Sequence, residues 1–63
     1  MSATAKFVRH LAKNTQVGRI VTITPDEIAF YGYDEIVREA TAEGFIAFQF
    51  DGSPLELVRP ATA

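Results

Sequence analysis

No cysteine occurs anywhere in this chain of 63 residues, which removes disulfide staples and thiolate metal sites together. With one histidine, His10, imidazole cannot make up the missing ligands, and only carboxylates remain. No apolar run approaches the roughly 20 residues needed to cross a bilayer. The opening stretch MSATAKFVRHLAK lacks the hydrophobic centre of a secretory leader. A cytoplasmic protein with no membrane partner is the expectation. Glycine appears only singly, at positions 18, 32, 44 and 52, so there is no glycine-rich loop to cradle a phosphate. Nucleophiles are equally scarce: Ser2 is terminal, Ser53 sits in a turn, and neither has a base positioned by the local sequence. No catalytic constellation, cofactor or small-molecule substrate is therefore expected, and the chain reads as a non-enzyme.

A single domain of this size buries only about 60% of the surface its unfolded form exposes. Without staples, such chains commonly gain stability by self-association or by docking on a partner. Charge is unevenly spread. Up to Pro25 the charged side chains are Lys6, Arg9, Lys13 and Arg19, with no acid; from Asp26 onward eight acids face only Arg38 and Arg59. That asymmetry suits either a basic face for an acidic partner or the association of basic and acidic segments with one another.

The stretch TPDEIAFYGYDEIVREATAEG, from Thr24 to Gly44, carries the strongest local signals. Thr24 and Glu27 have the spacing of a reciprocal capping box, and Pro25 falls at the first helical position, where a missing N–H costs nothing. Asp26 and Glu27 suit the positive end of a helix dipole, and Gly44 suits its close. Gly32 interrupts the pattern, so the segment is one helix kinked there or two short ones. A hairpin strand from Glu27 to Tyr31 is the competing reading, disfavoured by the capping box. If the helix runs on through Gly32, then Ala29, Phe30, Tyr33, Ile36, Val37 and Ala40 form one apolar stripe, and Ile28 and Tyr31 fall off it. Arg38 is then placed to pair with Asp34.

On either side, AKFVRHLAKN (Ala5 to Asn14) alternates at helical period, with Phe7, Val8, Leu11 and Ala12 on one face and Lys6, Arg9, His10 and Lys13 on the other. Ser2 or Thr4 would cap it. Arg19 to Ile23 is rich in β-branched residues and reads as a strand. FIAFQF, from Phe45 to Phe50, is almost wholly apolar and predicts a strand that is central or buried on both faces. Asp51 to Pro54 is a turn. Leu55 to Val58 returns as the second arm of a hairpin, with Leu55 and Leu57 on one face, and Pro60 ends it. The tail Ala61-Thr62-Ala63 is expected to fray. The sum is a single small α+β domain over residues 1–63, with a three-stranded antiparallel sheet packed against an N-terminal helix and a central helix kinked or split at Gly32.

This order of helix, strand, helix, turn at Gly32, helix and hairpin resembles that of a winged helix-turn-helix domain, with DGSP as the wing tip and EGFI joining helix to hairpin. The resemblance implies a recognition helix from Tyr33 to Glu43. Yet that helix carries Asp34, Glu35, Glu39 and Glu43 against Arg38 alone, the wrong sign for phosphates. Nucleic-acid binding would fall instead to Lys6, Arg9, Lys13 and Arg19, and stands as the second reading. In length and element order alone the chain also resembles small phage inhibitor proteins that occlude a host enzyme. The first reading is a protein-interaction module, binding a partner or a second copy through Ile28, Tyr31, Glu35, Glu39 and Glu43. It rests on seven aromatic residues, a surplus that one small core does not readily hide.

Overall fold

A computed structural model describes residues 2–50 and 52–61. The elements run α1 (Ala3–Asn14), β1 (Ile20–Thr22), α2 (Pro25–Tyr31), α3 (Tyr33–Ala42), β2 (Ile46–Phe48) and β3 (Glu56–Val58). The strands form one antiparallel sheet in the order β1-β3-β2. This is the α+β architecture expected, three helices and a three-stranded antiparallel sheet.

The local signals act as their chemistry requires. The Ser2 hydroxyl accepts from the Ala5 amide and opens α1. At α2 the capping box is complete: the Thr24 amide donates to the Glu27 carboxylate at 2.9 Å, and the Glu27 amide donates to the Thr24 hydroxyl at 3.2 Å. The hairpin alternative for this segment is thereby set aside. α3 ends in a Schellman motif, with the Gly44 amide on the Thr41 carbonyl and the Phe45 amide on the Ala40 carbonyl. Gly44 takes φ +94° to close it, and the closure drops Phe45 beside Ala40 into the core.

At Gly32 the helix splits instead of bending. Its φ of +93° and ψ of +129° lie outside helical space, so the phase of the helix is reset and the continuous stripe expected from Ala29 to Ala40 does not form. Ile28 and Tyr31 pack against the core, whereas Phe30 is 77% exposed. The Thr4 hydroxyl reaches the Tyr31 carbonyl at 3.4 Å, tying α1 to the break.

The core consists of Val8, Ile23, Ile36, Ala40, Phe45, Leu55 and Leu57. Burial of each large aliphatic or aromatic side chain here stabilises the fold by about 1.5–3 kcal/mol. α3 packs on α1, α2 and β2, which places the helices on one side of the sheet. Leu57 is fully buried and marks the covered face, with its partners Val21 and Ala47 half-buried beside it.

Two expectations change. β2 is an edge strand, not a central one, because β3 inserts between it and β1; Ile46 is accordingly 54% exposed. Arg38 pairs with Glu35, one residue closer, rather than with Asp34. Leu55 and Leu57 are both buried, as their spacing indicates. Asp51 of the turn and Thr62 and Ala63 of the tail lie outside the described residues.

Candidate functional site

Alternation along the strands sorts the sheet into two faces. Because Leu57, Val21 and Ala47 face the helices, Ile20, Val58 and Ile46 face away from them. The register aligns these three across the sheet, since Val58 is the partner of both Ile20 and Ile46. Ile20 is 55% exposed and Ile46 54%. A second row, Thr22, Glu56 and Phe48, lies on the same outer face. Phe48 meets the exposed Phe50 edge to face at 4.9 Å between ring centres. The uncovered side of the sheet is thus an apolar surface built by alternation, across all three strands.

Glu56 is its one charged residue on the strands, and it is held from within. The Thr22 hydroxyl donates to one carboxylate oxygen at 2.6 Å, and the Ser53 hydroxyl donates to the other. These two hydrogen bonds, Ser53 first and Thr22 second, hold the Glu56 carboxyl below its ordinary value of 4.5. The Ser53 and Thr22 hydroxyls thus join the turn and β1 to the middle strand through one carboxylate.

The residues expected to form a contact surface fall in different places. Tyr31 is half-buried, its ring stacked on Phe7 at 4.4 Å and 11°. Ile28 is also half-buried against the core. Glu35 is paired with Arg38, and Glu39 on α3 and Glu43 at its C-terminal cap are half-buried on the helix layer. The structure does not bring the outer-face residues and these acids together. The basic set is more uniform: Lys6, Arg9 and Lys13 are exposed along α1, and Arg19 is exposed just before β1. A shallow depression lined by Asn14, Thr15, Gln16, Arg19, Ile20 and Val21 joins the end of α1 to the sheet. His10 is exposed beside Asn14, which donates to the His10 carbonyl at 2.8 Å.

The outer face is hidden in the sequence when Phe45 to Phe50 is read as a strand that is central or buried on both faces, whereas β2 is an edge strand. The signal that would have found it was present: I-A-F in β2 and L-V in β3 leave apolar side chains on both faces, one more apolar face than a single helix layer covers. Among the described residues no group of three His, Asp or Glu side chains is assembled to hold a metal ion, and no helix is long and apolar enough to cross a membrane. No protein-family model, curated protein or solved structure matches the chain at a significant level.

Proposed function

We propose that this protein is a non-enzymatic interaction module that meets another polypeptide through the uncovered face of its sheet. One observation carries the reading: Ile20, Val58 and Ile46 lie in register across three strands on the side away from the helices, with Phe48 and Phe50 beside them. An apolar row of this kind, with aromatic rings beside it, is the type of surface that partners cover. Aromatic residues are also enriched in interface cores, and the one carboxylate of this face, Glu56, is already hydrogen-bonded by Ser53 and Thr22. This moves the proposed contact from Tyr31 and Ile28, which serve the core, to the strands.

The alternative, nucleic-acid binding by Lys6, Arg9, Lys13 and Arg19, is favoured by one feature, their common exposure without an ion-pair partner among the described residues. Two variants separate the readings. Ile46→Lys is expected to keep the wild-type circular-dichroism spectrum and to lose polypeptide cross-links made by a short amine-reactive reagent with partner fractions. Lys6→Glu with Arg9→Glu is expected to keep those cross-links. Retention of every cross-link in Ile46→Lys would overturn the interaction reading. Steeply salt-dependent binding to duplex oligonucleotide, abolished in the basic-face double variant, would replace it with the nucleic-acid one.

A further inference from the structure

We infer that the free edge of β1 is a docking site for an extended acidic polypeptide segment, which joins the sheet as an added strand beside the end of α1. The inference goes beyond the interaction reading: the outer face takes side chains, whereas the edge takes a backbone, and either can stand without the other.

The ladder shows which backbone groups are open. In an antiparallel pair, successive residues of a strand direct their N–H and C=O groups to one side and the other by turns. The Arg59 amide donates to the Arg19 carbonyl, and the Ile23 amide to the Leu55 carbonyl, so Arg19, Val21 and Ile23 face β3. Ile20 and Thr22 therefore turn their N–H and C=O groups outward, where none of them meets a partner among the described residues. No other described element runs alongside: β1 packs on β3, while the opposite edge strand, β2, has α3 against it. A lysine, a proline or a bulge within the strand, or a covering helix, commonly guards such an edge. Ile20-Val21-Thr22 has none of these.

A depression of about 340 Å³ lies at this edge, lined by Asn14, Thr15, Gln16, Arg19, Ile20 and Val21. Ile20 and Val21 point to opposite faces, so a hollow that touches both opens at the edge of the strand and not on either face. Its charges select the side chains of the incoming strand. Arg19 continues the alternation on the helix side with Val21, is exposed, and has no ion pair among the described residues. Lys13 is exposed in the last turn of α1, and no acid precedes Asp26. The negative end of α1 is blunted, since the Arg59 guanidinium donates to the Ala12 carbonyl at 3.0 Å and the Asn14 side chain to the His10 carbonyl at 2.8 Å. Carboxylates of the incoming strand thus belong on the helix side, near Arg19. On the outer side its neighbours are Ile20 and Thr22, with the Glu56 carboxylate on Thr22; that side takes apolar residues and rejects acids. The segment that fits alternates acid with hydrophobe. The β1 of a second copy does not, because Arg19 to Ile23 holds a cation and no acid.

The labelled full chain, titrated with a capped peptide of about seven alternating valine and glutamate residues, tests this by amide proton–nitrogen NMR. Shifts are expected at Ile20 and Thr22 with half-saturation on the order of 0.1–1 mM, and exchange of these two amides with solvent is expected to slow at least about fivefold at saturation. Two N-methylated analogues read the backbone bonds. One is methylated at the valine amides and the other at the glutamate amides; only one set can face β1, so one analogue is expected to lose binding and the other to keep it. Arg19→Glu, at an exposed position, is expected to weaken binding at least about fivefold. Ile46→Lys, on the opposite edge strand, is expected to leave the titration unchanged, which separates this site from the outer face. Ile20 and Thr22 amides unmoved at about 2 mM peptide, or analogues that bind equally well, would overturn the edge site. A peptide with lysine in place of glutamate that binds as tightly would overturn the acidic occupant. Exchange at Ile20 and Thr22 that slows on raising protein concentration alone would give the edge to a second copy instead.

Discussion

Glu56 shows how one side chain can tie a turn and an edge strand to the middle strand of a sheet. Its carboxyl is held below 4.5 by the Ser53 and Thr22 hydroxyls, so its contribution to stability is fully present above that ordinary value and is lost as pH falls through the lower folded value. Glu56→Gln removes the charge-assisted part of both hydrogen bonds. The urea midpoint of the variant is expected to lie below wild type at pH near neutrality and to converge on it as pH falls below 4.5. A gap that stays constant with pH would show these hydrogen bonds to be energetically silent. Tyr31 carries the second test at this scale. Because its ring stacks on Phe7 and packs on the core, Tyr31→Ala is expected to lower stability by about 1–3 kcal/mol in urea unfolding. A neutral substitution would return Tyr31 to the list of contact residues.

Among the elements, the helix break at Gly32 has the widest effect. Its φ of +93° is one that side-chain-bearing residues rarely adopt, although there is space around it for a methyl group. Gly32→Ala is expected to cost roughly 1–3 kcal/mol through backbone strain alone. Thr24→Ala, which removes the capping box two residues before Asp26, is expected to cost about 1 kcal/mol. Both are read from chemical denaturation, and a Gly32→Ala variant as stable as wild type would show that α2 and α3 readily fuse. These elements were legible because their signals are local: a capping pair three residues apart, a proline at a first turn, a glycine at a Schellman close. The strand identities were legible too, from β-branched and aromatic runs. What local pattern did not carry was strand order. Phe45 to Phe50 reads as central because it is apolar throughout, but position in a sheet is decided by which strand β1 pairs with, a contact between Val21 and Leu57 far apart in sequence. The misplacement of β2 hid the outer face, and the reset of helical phase at Gly32 exchanged Tyr31 with Phe30 as the exposed aromatic.

At the scale of the whole molecule, the helices pack on one side of the sheet and leave Ile20 and Ile46 exposed on the other. The acids of α2 and α3 and the apolar row of the strands therefore lie in different layers. The basic residues of α1 and the apolar strands offer distinct and separable surfaces. The most direct test of the central claim, that the uncovered sheet face and not α1 is where this chain meets a polypeptide, is a comparison of amide proton–nitrogen NMR spectra of the labelled protein alone and with the polypeptide recovered by cross-linking. The account requires shifts at Ile20, Ile46, Phe48 and Val58 on addition of that polypeptide, with Lys6, Arg9 and Lys13 unmoved. Shifts confined to α1, or a sheet that does not respond, would contradict it.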